Sequence, residues 1–344
     1  MGAAADHFGE ITMRQALPIA VIGVAAMVLT ACTGSTPVAD PVSTTPSDTT
    51  VSSTTAASST TSSSATSSSR TTSKPSTTSK AAPPPGRTGG GRCPAYPTPS
   101  CTGVPGGTKL SAVTLNSGDA YRVSQDGAVL DGMHIPGNLL ITAHNVTVRN
   151  SQIDGFVTDE YENVDYSYTI VDSTVGPASG CDSQPGVGEG SFYARGVLIR
   201  NHGDGFRDSG NDIEIHDSYV HLCSNPGDHS DGIQSYQGGH NLVLDHNTLD
   251  QRDATDITAP IFLTDLTNTV SVTNNLVAGG TYSIQVKGAG GTVVVRGNRM
   301  VDKSWVYGPV ESDCGTIQWS DNSLVTIDSA YNVTGTVAPL PCHG

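Results

Sequence analysis

A short phrase recurs through the C-terminal two-thirds of the chain and limits the fold more than any other feature. It reads apolar, any, apolar, any, Asn or Asp, then Ser or Asn; Val146-Thr147-Val148-Arg149-Asn150-Ser151 is a good copy. Further copies end at Asp172-Ser173, Asn201-His202, Asp217-Ser218, His246-Asn247, Asn274-Asn275, Gly297-Asn298 and Asp321-Asn322, and Leu130-Asp131-Gly132-Met133 is a degenerate first copy. The final positions are 22, 29, 16, 29, 28, 23 and 24 residues apart. Each copy alternates briefly and breaks at a small polar turn, the pattern of a short strand with one buried face. No helical period lies between the copies, which excludes leucine-rich repeats and βαβ crossovers. The chain therefore reads as all-β, with parallel strands stacked one coil per 22 to 29 residues in a β-helix, a solenoid. The 16-residue step implies either a very tight coil or a slip of register there. Asn at a fixed place in each coil predicts a hydrogen-bonded ladder.

A second strand is expected after each copy, over residues 154–157, 204–207, 231–234, 260–264, 282–287 and 305–310. Phe206, Ile233, Ile261 and Ile284 then point inward, and Arg207, Gln234, Phe262 and Gln285 outward on one sheet, with Lys287 on the same face. Asp265 follows just past the end of its strand. Two phrases here are nearly alike, His202-Gly203-Asp204-Gly205-Phe206-Arg207 and His229-Ser230-Asp231-Gly232-Ile233-Gln234, with Asp154-Gly155-Phe156-Val157 a weaker third. In a solenoid, matching residues of successive coils sit about 4.8 Å apart, so Asp204 and Asp231 become neighbours.

Charge narrows the partners. Six of the 17 Lys and Arg and four of the 32 Asp and Glu precede Cys93, which leaves 11 basic and 28 acidic residues and a net −17 beyond it. Nucleic-acid binders are basic, so no nucleic-acid partner is expected. An acidic surface accepts neutral sugars and cations more readily than polyanions. The expected state is a monomer.

The N-terminus reads as an export signal. Met13-Arg14 precedes an apolar run over 16–29 that is shorter than the roughly 20 residues a membrane span needs. It ends in Leu29-Thr30-Ala31-Cys32, which resembles the bacterial lipobox. That resemblance implies a lipoprotein signal peptide over 1–32, cleavage before Cys32, a lipid on its thiol, and a protein held on the outer face of the cell membrane. Asp6 and Glu10 are unusual for such a leader and point to Met13 as the start. Residues 33–92, rich in Ser, Thr, Ala and Pro, cannot bury a core and read as a disordered tether. Residues 93–344 form the β-helix domain. Six Cys remain beyond Cys32 and allow fifteen pairings. Cys93–Cys101 and Cys314–Cys342 would staple the ends, and Cys181–Cys223 would clip a loop.

The chain is similar to right-handed parallel β-helix proteins of the pectate-lyase-like superfamily and, more closely, resembles bacterial exported proteins with right-handed parallel β-helix repeats. The likeness covers roughly 102–342. It is carried by Thr102-Gly103-Val104-Pro105-Gly106-Gly107-Thr108, the two Asp-Gly phrases, and Tyr282-Ser283-Ile284-Gln285-Val286-Lys287. It implies a single-stranded right-handed parallel β-helix. That fold hosts many activities. Of the polygalacturonase Asn-Thr-Asp-Gly phrase only Asp231-Gly232 is matched, no paired Asp follows, and Gln285-Val286-Lys287 is an altered Arg-x-Lys.

Two functions follow. One is a cell-surface lyase or glycoside hydrolase acting on a polysaccharide. The other is a non-catalytic module that binds glycan or cell-wall polymer along the side of the coil. A hydrolase needs two carboxylates about the scissile bond; a lyase needs a base and a cation or Ca²⁺ to hold the developing charge. The candidate catalytic residues are Asp204, Arg207, His229, Asp231, Gln234 and Lys287, and the candidate substrate-binding residues are His202, Asp265 and Gln285. No cofactor is assigned; Ca²⁺ is the one weighed, with Asp204, Asp231 and Asp265 as oxygen donors. Trp305 and Tyr307 are placed to stack on a sugar, whereas Trp319 points inward. The alternative for the Asp residues is structural, an Asp ladder satisfying backbone amides at a bend, with His202 a ladder residue.

Overall fold

A computed structural model describes residues 93–343 except 160–163, 165, 236–239, 265–268 and 289. The export signal, Cys32, the tether and Asp265 lie outside them. The described residues contain strands and no helix. The strands pair in parallel from coil to coil, in long sheets, in the manner of a β-solenoid.

Three columns of strands build the stack. The first is a nine-stranded sheet from Val129–Asp131 through Val146–Arg149, Ser167–Val171, Ser191–Arg195, Glu214–His216, Leu242–Asp245, Val270–Thr273 and Val293–Arg296 to Ile317–Ser320. Leu130, Val148, Ile170, Ala194, Ile215, Leu244, Val272 and Val295 stack in register along it. All eight are buried. Each Ile, Leu or Val so buried contributes roughly 1.5–3 kcal/mol, and the repetition of that term drives the coil to close.

The first column ends each time on a left-handed residue: Gly132, Asn150, Asp172, Gly196, Asp217, His246, Asn274, Gly297 and Asp321, with φ from 46° to 71°. Gly, Asn and Asp adopt this conformation at the least cost, which explains the polar turn in the repeat. The next residue points inward and forms the expected ladder. Asn275, Asn298 and Asn322 each accept, through Oδ1, both the backbone N–H and the side-chain N–H of the preceding Asn at 2.9–3.1 Å. Their own Nδ2 groups donate to carbonyls of the preceding coils, Leu244, Val272 and Val295. Toward the N-terminus serines continue the ladder: Ser218 N–H donates to Asn247 Oδ1, Val197 N–H to Ser218 Oγ, and Ser151 N–H to Ser173 Oγ.

That ladder corrects one repeat. The copy expected at Asn201-His202 is in fact Ala194-Arg195-Gly196-Val197, since Ala194 pairs with Ile170 and Ile215. The steps of 29 and 16 become 24 and 21. Val replaces the polar ladder residue there and Gly the Asn or Asp, so the phrase is masked. Asn201 imitates it because it too is left-handed, φ 56°, at a bend within the 11-residue strand Leu198–Asp208.

The middle column consists of short strands such as Met133–Ile135, Tyr219–Leu222, Thr248–Asp250, Leu276–Ala278 and Arg299–Val301. The repeat did not mark it. Its outward Leu276, Ala278, Val301 and Val325 form a second apolar cluster covered by Tyr96, Ile327 and Tyr331. Tyr331 hydroxyl donates to Asp250 Oδ2 at 2.6 Å and is bonded to the Tyr219 hydroxyl. Arg252 forks onto Asp250 at 2.7 and 2.9 Å. The final strand Val333–Pro339 runs antiparallel to Ser323–Ile327 and closes this edge.

The third column carries the expected second strands, among them Ile233–Ser235, Ile261–Leu263, Tyr282–Val286 and Gly308–Ser312. Phe206, Ile233, Ile261 and Ile284 are stacked and fully buried. Arg207, Gln234, Phe262, Gln285 and Glu311 form the outward row. The three disulfides are Cys93–Cys101, Cys181–Cys223 and Cys314–Cys342.

Candidate functional site

The repeated Asp-Gly phrases meet at the corner between the middle and third columns. A Cβ on Gly205 would lie 2.3 Å from the Gly232 carbonyl oxygen, and one on Gly232 would lie 2.3 Å from that of Pro260. The glycines are there because the next coil's backbone occupies the space, not to relieve a turn. This close approach brings the aspartates together. Asp204 Oδ1 accepts the Asp231 N–H at 2.9 Å, and Asp231 Oδ1 accepts the Ala259 N–H at 2.9 Å. An Asp ladder on backbone amides therefore exists.

The carboxylates differ from simple turn residues in their surroundings. Asp204 Oδ2 accepts a bond from Arg207 Nη2 at 3.0 Å, and the same nitrogen donates to Gln234 Oε1 at 3.1 Å. Burial pushes the Asp204 carboxyl above its ordinary range, against the Asp231 amide and Arg207, which favour the charge. Burial pushes Asp231 much higher, with the Asp204 charge adding to the effect. Desolvation thus outweighs the nearby guanidinium. Asp231 is 1% exposed; the Asp204 and Arg207 side chains retain 10% and 26%. Solvent reaches Asp204 and Arg207 more readily than Asp231.

Sequence reasoning missed two acids beside this cluster. Glu189 Oε1 lies 3.8 Å from Arg207 Nη1, so Glu189 and Asp204 flank opposite nitrogens of one guanidinium. Ser209 hydroxyl donates to Glu189 Oε2 at 2.7 Å. Behind it, Asp159 Oδ1 accepts the N–H groups of Glu189 and Gly190 at 2.9 and 2.7 Å. Asp159 is 2% exposed, and burial pushes its carboxyl to about 6. Neither acid belongs to a repeated phrase. The available signal was register: Val157, Val187 and Phe206 align, so the residues two further on, Asp159, Glu189 and Asp208, follow one another past the strand ends.

The other expected site residues are not brought into the cluster. His202 is fully buried, with Nδ1 2.8 Å from the Gln184 carbonyl oxygen and Nε2 3.3 Å from that of Gly155; burial lowers its pKa. It is an internal strut, removed from any surface a substrate touches, because it sits at the bend and not in the ladder. His229 is left-handed, φ 52°, and turns its ring outward, 78% exposed and 3.5 Å from Asp256. Gln285 is 6% exposed. Lys287 is bound to Glu311 at 2.8 Å, just past the end of the strand three register steps from Arg207. Asp265 lies outside the described residues. Among the described residues no group of three or more His, Cys, Asp or Glu is arranged to hold a metal ion. Asp204 and Asp231, weighed as Ca²⁺ donors, each commit an oxygen to a backbone amide. No protein-family model, no curated protein and no solved structure matches this chain.

Proposed function

We propose that this is a right-handed parallel β-helix that acts on a polysaccharide at the third column, with Asp204, Glu189 and Arg207 at the reacting centre. Right-handedness is supported by the hand that parallel crossovers usually take. The observation that carries the reading is the guanidinium held between Asp204 and Glu189, with Asp204 raised by burial. Two carboxyl groups in unlike environments are what acid–base cleavage of a glycosidic bond requires. Asp204, whose carboxyl burial raises, is the proton donor, and Glu189 the base. Arg207 orients both, Gln234 fixes Arg207, and Asp231 supports the Ala259 turn from beneath.

The test is a polysaccharide panel followed at 235 nm and for reducing ends, with and without EDTA. Reducing ends without absorbance mean hydrolysis; absorbance means elimination. Activity that persists in both Asp204→Asn and Glu189→Gln removes the assignment. A second reading, a non-catalytic glycan-binding module, is favoured by the commitment of both aspartates to backbone amides; binding without either signal supports it. Leu29-Thr30-Ala31-Cys32 further supports export and lipid attachment at Cys32. Palmitate labelling retained after Cys32→Ser rules that out.

A further inference from the structure

The outward row of the third column runs beyond the reacting centre and contains an oddity. Phe262 faces outward and is half-buried, between Gln234 and Gln285 in register. Two coils on, and four residues upstream of the row's Glu311, Tyr307 is 72% exposed, its ring 5.8 Å from that of Tyr282 and tilted by 53°. Gly308 makes room for this pair: a Cβ there would lie 3.2 Å from Tyr282 Cε1. The Tyr307 backbone is fixed by its N–H bond to the Thr281 carbonyl at 2.8 Å. An exposed tyrosine on an anchored backbone is a surface that sugar rings, with their apolar C–H faces, stack on.

The charges of the row tell against a polyanion. Arg207 is flanked by Asp204 and Glu189, and Lys287 is bound to Glu311. Two cations stand against two carboxylates when Asp204 carries its proton and against three when it does not, so the row offers no net positive field to a chain of carboxylates. Building on the polysaccharide reading above, we propose that the ligand is an uncharged polysaccharide laid obliquely across the third column, with one ring on Phe262 and another on the Tyr282–Tyr307 pair. A neutral sugar has no carboxylate to acidify the proton beside it, so the cleavage it permits at Asp204 and Glu189 is hydrolysis rather than elimination.

Affinity electrophoresis of the full chain tests this, in gels cast with neutral polymers (xylan, glucomannan, arabinogalactan, an α-glucan) and with two polyuronates (polygalacturonate, alginate). The expected result is retardation by at least one neutral polymer and by neither polyuronate. Tyr307→Ala, at an exposed position, is expected to weaken that retardation about fivefold, and Phe262→Ala to do the same, with unfolding curves recorded alongside. Retardation by polyuronates alone overturns the substrate class. Retardation lost in Arg207→Ala yet unchanged in Tyr307→Ala overturns the aromatic contacts while leaving the polysaccharide reading standing. No retardation of the parent protein in any gel overturns both.

Discussion

Each coil turns two corners with polar side chains, and the corners solve the same problem differently. Between the first and middle columns, Asn275, Asn298 and Asn322 repeat one bonding pattern. A carboxamide both donates and accepts, so it stacks on its own kind without limit. Between the middle and third columns, Asp204 and Asp231 also bond the next coil's amides, but a carboxylate only accepts. It cannot repeat without accumulating charge, so the second corner stops after two members, takes a guanidinium alongside, and carries raised carboxyl pKa values. Chemistry is to be sought where polar groups could have been neutral and are not.

The contrast can be broken most forcefully by making the first corner acidic. Asn275→Asp turns a carboxylate toward Leu244 O and Asn298 Oδ1, and its expected cost is about 3–5 kcal/mol at pH 7, measurable by urea unfolding. Asp159→Asn sharpens the comparison through pH. A carboxyl raised to about 6 in the fold stabilises it fully below the unfolded value near 4, and that stability is lost as pH rises through 6. The parent protein should therefore lose roughly 3 kcal/mol over this window, and the variant, which keeps an acceptor for Glu189 and Gly190, should show a flatter profile. Arg207→Ala leaves Asp204 and Glu189 without their cation; the expected loss is about 2–3 kcal/mol at pH 7 and less at pH 4. Asp231→Asn tests the second corner from the opposite side. It preserves the bond from Ala259 and removes a carboxyl whose charged form burial disfavours, so unfolding should shift in the stabilising direction at pH 7.

The coils were legible because the inward residues and the turn that follows recur in the chain itself. Eight of the nine turns that end the first column show Asn, Asp or Gly where the backbone is left-handed, His246 being the exception; at Asn201 the same chemistry misled, because a bend inside Leu198–Asp208 needs the same conformation. The middle column was hidden because strands such as Gln152–Ile153 and Thr174–Val175 are two residues long, too short to show alternation. Of the site, Asp204, Arg207 and Gln234 were legible from matching phrases. Glu189 and Asp159 were not, because their meeting depends on coils whose lengths differ: the phrase is missing from Glu189's coil, and the weak copy at Asp154-Gly155-Phe156-Val157 before Asp159 is one residue out of register, Val157 rather than Phe156 aligning with Phe206. His202 and His229 looked equivalent in sequence, yet one is fully buried and the other 78% exposed; the spacing of phrases does not reveal which side of a bend a ring takes.

The reversed direction of Val333–Pro339 against Ser323–Ile327 has a bearing on how copies of the molecule meet. Parallel stacking is a growth rule, and the last coil of any such stack presents a template on which another molecule's first coil would fit. A strand laid down in the opposite sense occupies that template with the wrong polarity for continuation. The middle column is thereby terminated by its own chain, a stopper against end-to-end fibre formation.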